Sequence, residues 1–187
     1  MFRKLTASAI AITAALALAG CTINIGDTDN HNGMMGNSSS TYSGADIMFA
    51  QMMIPHHQQA VDMGTLAETR ALSPEVKKLA AQIKAEQAPE IEQMKGWLKT
   101  DGSSMHMDHD MGMGGMLDDA EMTALTNAKG ARFDRLYLEG MIQHHKGAVH
   151  MTQMVIDSNN AEVNTLAHAI VKLQTEQIAY MESLLKK

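Results

Sequence analysis

Two phrases, "MMIPHHQQAVDM" over 52–63 and "GMIQHHKGAVHM" over 140–151, each set a pair of adjacent histidines in an otherwise apolar run. An imidazole is costly to bury without a partner, so His56, His57, His144 and His145 are the first candidates for chemistry. Met53 stands one helical turn before His57 and Met141 one turn before His145, while Met63 and Met151 lie two turns beyond His56 and His144. Mixed imidazole and thioether donors, with no thiolate nearby, suit copper better than zinc or iron. Small Ala60 and Ala148 leave space beside the rings. Methionine is the outlier of the composition, 18 of 187 residues against three Phe, three Tyr and one Trp, and thioethers both fill cores and bind soft metals.

The competing explanation is packing. A core histidine can be satisfied by a glutamine, a carboxylate or a backbone carbonyl, and Gln58, Gln87, Gln143 and Gln177 are available. Methionines at helical spacing are then core. The duplicated pair and the methionine excess weigh toward ligation.

A second set of donors lies in "SSMHMDHDMGMGGM", 103–116: Met105, Met107, Met111, Met113 and Met116 with His106 and His109. A glycine-rich connector with Asp108 and Asp110 belongs on the surface, where methionine gains little from burial. Met-x-Met and His-x-x-His spacings there can wrap a soft cation, with Met favouring Cu(I) and His accepting Cu(I) or Cu(II). A linker of accidental composition is the alternative. "HNGMM", 31–35, is a weaker echo.

These residues need helices to position them. Asp46 can cap a helix through about Arg70; Ser73 followed by Pro74 opens a second that runs to about Lys99. Asp118 with Glu121 makes a capping box for a short helix ending near Gly130. A long helix is expected from about Ala131 to Asp157, and "SNNAE" starts a last one running nearly to Lys187. No stretch alternates as a strand does. Pro55 removes an amide and should kink the first helix, freeing the carbonyl of Gln51.

An offset of 88 residues superposes the two phrases, placing Asp46 on Asp134, Phe49 on Tyr137, Met53 on Met141, His56 and His57 on His144 and His145, and Met63 on Met151. At 90 residues the partner helices match as well, with Glu86 and Gln87 on Glu176 and Gln177. The chain is therefore two copies of one helical hairpin. Each copy has an apolar stripe that it cannot cover alone, so the expected fold is all-α, an antiparallel four-helix bundle over 45–187 with the Met/His-rich loop at 101–117. On the first helix His56 falls on the core stripe and His57 about 100° round on its flank, and the second copy repeats this. Only facing helices can then aim both pairs at one ion.

The N-terminal end carries a different signal. "MFRK" and the apolar run after it read as a secretory signal over 1–20, and "LAGC" resembles a lipobox, leaving Cys21 as the lipidated first residue. The run is shorter than the roughly 20 residues of a membrane span. Residues 21–44 are then a flexible tether with a reach on the order of 25 Å. Cys21 is the only cysteine, so no intramolecular disulfide can form. The formal net charge of −6 falls further when the signal's two basic residues are removed, which excludes nucleic acid as an expected partner and suits cations.

Together, "FAQMMIPHHQQAV", "AAQIKAEQAPEIEQMKGWL" and "FDRLYLEGMIQHHKGAVHM" resemble the bacterial family catalogued as domain of unknown function 305, over about 44–187. The resemblance implies a ferritin-like bundle, and an association with copper binding and copper tolerance in exported members. It points to His56, His57, His144 and His145 as functional residues, with Met53, Met63, Met141 and Met151 beside them. The leading expectation is a lipid-anchored extracytoplasmic copper-binding protein that sequesters copper or hands it to a partner protein. One rival is a ferritin-like metal-dependent oxidase, but di-iron bundles use Glu-x-x-His pairs and the chain has none. The other is a structural lipoprotein with a metal-free packed core.

Overall fold

Side-chain caps start four of the five α-helices in the computed structural model, which describes residues 41–105 and 114–186. The helices are α1 (Gly44–Arg70), α2 (Pro74–Asp101), α3 (Asp119–Asn127), α4 (Ala131–Met151) and α5 (Ala161–Leu184), and the described residues contain no strand. The fold is the expected all-α bundle. Ser73 caps α2 ahead of Pro74, Asp118 and Glu121 form the capping box of α3, and Asn160 caps α5.

Two boundaries differ from expectation. The cap of α1 is Ser43, and Asp46 is the third residue of its capping box, accepting from the Ser43 amide at 2.7 Å. Helix α4 ends at Met151, six residues early, because the Thr152 hydroxyl takes the Val149 carbonyl at 2.7 Å and the chain tightens into a 3-10 turn over Thr152–Met154. Pro55 and Pro89 lie inside α1 and α2 without interrupting either.

The repeat mates Asp46 and Asp134 lock the two hairpins together. Asp134 accepts the amides of Leu72 and Ser73, at 3.0 and 2.8 Å, in the α1–α2 turn. Asp46 accepts the Ser158 hydroxyl at 2.7 Å in the α4–α5 turn. Each carboxylate holds the other hairpin's turn, which fixes the hairpins in an antiparallel, pseudo-two-fold pairing.

That pairing divides the core into two apolar clusters. One gathers Phe49, Met53, Met94, Trp97, Met151 and Ile170; the other gathers Met63, Ile83, Phe133, Tyr137, Met141 and Met181. On every long helix the stripe passes from one cluster to the other through polar residues: His56 and His57 on α1, Gln87 on α2, His144 and His145 on α4, and Gln174 and Gln177 on α5. A polar layer crosses the middle of the bundle.

Candidate functional site

All four histidines are completely buried, at 0% exposure. His57 and His145 thus stand on a flank that is covered: α2 and α5 close that side of α1 and α4 with long polar side chains. The two pairs do face each other. The rings of His56 and His144 lie 3.7 Å apart between centroids and are tilted by 36°, while each ring stands 6.3–6.4 Å from its neighbour in sequence.

Three of the imidazoles have one partner each. His57 Nε2 meets Glu90 Oε2 at 2.7 Å, His144 Nε2 meets the His56 carbonyl at 2.9 Å, and His145 Nε2 meets Gln177 Oε1 at 2.8 Å. Gln177 in turn donates to Glu86 Oε2 at 2.7 Å. The Nδ1 atoms of all four rings and the Nε2 of His56 have no hydrogen-bond partner among the described residues. Five buried, unpartnered imidazole nitrogens in one layer are a large unfavourable term for a core built only for packing.

Burial governs the electrostatics. It pushes His56 down to about 3, helped by the charges His57 and His145 would carry, and the Gly114 backbone beside the ring opposes this without forming a well-made hydrogen bond. Burial likewise takes His145 to about 4 against the opposing Gln177 bond. It holds His144 well below the usual histidine range, with His56 and His145 adding to the effect. All three are neutral at pH 7, the form that binds metal.

The thioethers flank this layer in pairs. Met53 and Met151 belong to one apolar cluster and Met63 and Met141 to the other, all at most 4% exposed, so each side of the histidine layer receives one methionine from each repeat. No three His, Cys, Asp or Glu side chains among the described residues form a group able to hold a metal ion. Imidazoles with thioethers on either side offer a donor set that fits soft Cu(I).

The connector between the hairpins ends at this layer. Gln51 donates to the Ser104 carbonyl at 2.8 Å, and Gln59 clamps Leu117 at both backbone atoms, at 2.8 and 2.9 Å. Gly114 and Gly115 press on α4 so closely that a Cβ on Gly147 would lie 1.9 Å from the Gly114 carbonyl oxygen. Met105 is 52% exposed and Met116 partly buried, while His106, Met107, His109, Met111 and Met113 lie outside the described residues, as do Cys21 and 31–35.

Of the glutamines named as partners, only Gln177 serves. Gln58 bonds Asp62, and Gln87, the repeat mate of Gln177, has no partner among the described residues for either side-chain polar atom. Glu90 was not anticipated from the sequence. The signal available was the break in the α2 stripe between Ile83 and Ile91, where Glu86, Gln87 and Glu90 stand.

A family model described as a domain of unknown function, DUF305, matches residues 46–185. The chain belongs to the DUF305 family. Comparison with curated proteins returns no match. Among solved structures, a DUF305 protein from Streptomyces coelicolor, designated as secreted, is 35% identical with a TM-score of 0.73 over 76% of this chain and 92% of its own. A DUF305 fragment from Deinococcus radiodurans is 32% identical with a TM-score of 0.71, over 77% and 97%. CopM in its Cu(II)-bound form is 34% identical with a TM-score of 0.66, over 75% and 95%, and CopM is also known in Cu(I)-bound and Ag-bound forms. No helix among the described residues of this DUF305 chain is long and apolar enough to cross a membrane.

Proposed function

We propose that this DUF305 protein is an exported, copper-binding protein that holds copper through imidazole and thioether donors and sequesters it or hands it on to a partner protein. The observation that carries the reading is the buried layer of five unpartnered imidazole nitrogens, flanked on each side by a pair of buried methionines. A donor atom left bare in a core is unfavourable until something binds it, and a soft cation satisfies imidazole and thioether alike. The copper- and silver-bound forms of CopM support the same conclusion.

Two further parts of the proposal rest on sequence. The donors His106, His109, Met105, Met107, Met111, Met113 and Met116 make the connector a second capture segment, and lipid on Cys21 ties the protein to a membrane after removal of 1–20.

The test is copper titration of the full chain beside a variant carrying His56→Leu and His144→Leu. Wild type should gain roughly 4 kcal/mol of stability when free copper stands about a thousandfold above the dissociation constant, and the variant should lose that gain. An equal copper response in both proteins would exclude these histidines as ligands.

A further inference from the structure

We propose that Glu86 and Glu90 are positioning residues that hold His145 and His57 as Nε2–H tautomers, making Nδ1 the atom each ring presents to metal. The inference deepens the copper-binding reading and takes its purpose from it. It follows from which atoms can donate. A carboxylate only accepts, so Glu86 draws the amide nitrogen of Gln177 toward itself, at 2.7 Å, and this orients Gln177 Oε1 toward His145 Nε2, at 2.8 Å. An amide oxygen also only accepts. His145 Nε2 must therefore carry the proton, and its Nδ1 keeps a lone pair. The opposite amide orientation would set the Gln177 oxygen against the Glu86 carboxylate, two acceptors at hydrogen-bond distance.

Glu90 does the same for His57 directly, at 2.7 Å, and the His56 carbonyl does it for His144, at 2.9 Å. Three rings on two helices thus receive the same instruction from three unrelated acceptors. In each the Nδ1 left bare is buried with no partner among the described residues. This is the arrangement in which an outer hydrogen bond fixes the tautomer and raises the basicity of the binding nitrogen. Both glutamates are only partly buried, so each carboxylate reaches in from the bundle surface to set a ring at its centre.

The experiment uses the full chain labelled with 15N, read by long-range proton–nitrogen correlation of the imidazoles without metal and then with Ag(I). Without metal, His57, His144 and His145 should each show a protonated Nε2 and a bare Nδ1. Glu86→Leu should give His145 a mixture of tautomers while leaving His57 unchanged, and should weaken Ag(I) binding about 10- to 100-fold. Silver should shift the Nδ1 resonances. A protonated Nδ1 on His145 in the wild type would overturn the inference, as would an unchanged tautomer in Glu86→Leu or silver attached at Nε2. The expected tautomers with no silver-induced shift on any histidine would instead establish the orientation by Glu86 and overturn the copper reading.

Discussion

His144 packs against His56 at 3.7 Å between ring centroids and gives its Nε2 proton to the His56 main-chain carbonyl 2.9 Å away. The contact satisfies one nitrogen of His144 and neither ring nitrogen of His56. As far as the hydrogen bonds of the described residues go, His56 is a net cost to the fold.

Replacing it should therefore stabilise the metal-free protein. His56→Leu removes two buried unpartnered nitrogens and puts a side chain of similar size between Met53 and Ala60, so unfolding free energy at pH 7 should rise by roughly 1–3 kcal/mol. Urea denaturation without metal measures it. A fall in the midpoint would mean that the ring has a stabilising partner after all.

Acid should weaken the bundle, and the sign follows from the depressed values. His56 and His145 stay neutral in the fold down to about 3 and about 4, whereas in the unfolded chain histidine takes up its proton near 6.5. Between those limits the unfolded state binds more protons. Stability is intact above about pH 6.5, falls by about 1.4 kcal/mol per pH unit for each such histidine as the pH drops, and levels off below the folded values. Urea midpoints at three pH values between 7 and 4 test this, and His56→Leu should flatten the slope.

The packing of the connector on α4 makes a contrasting pair of glycine substitutions. Gly147→Ala places a Cβ 1.9 Å from the Gly114 carbonyl oxygen, backbone that must move, and should destabilise by about 1–3 kcal/mol while speeding hydrogen exchange at the Leu117 amide. Gly96→Ala in α2 meets no described atom within 4 Å and should stabilise by about 0.4–1 kcal/mol. Equal effects from the two would show that Gly114 does not press on α4 in solution.

Copper stoichiometry separates the connector from the core. Serine at His106, Met107, His109, Met111 and Met113 keeps the chain length and removes thioether and imidazole donors, so bound copper per chain should fall while the helical circular dichroism is unchanged. Unchanged stoichiometry would reduce the segment to a linker.

Much of this architecture was legible because it repeats. The capping residues of α2, α3 and α5 are local chemistry, and the 88-residue offset exposed the hairpin duplication and hence the facing His56 and His144. What stayed hidden depends on distances across the bundle. Helical geometry put His57 on a flank, but whether a flank is covered depends on the neighbouring helix, and here Glu90 on α2 covers it. Gln87 and Gln177 were equivalent in sequence, yet only Gln177 reaches a histidine, because Glu90 occupies the corresponding nitrogen in the other repeat. The clamping of Leu117 by Gln59 spans 58 residues and leaves no local trace.

Fusing two copies of a hairpin into one chain allows what two identical subunits could not achieve, a centre whose halves differ. Pro55 has Gln143 as its repeat mate and Glu90 has Tyr180, so one outer imidazole leans on a carboxylate and the other on a neutral amide. An anion pulls electron density toward the binding nitrogen more strongly than an amide does. On the proposed copper reading His57 and His145 would be unequal donors, so an ion held by the hairpins would have a preferred side on which to rest and a weaker side from which to leave.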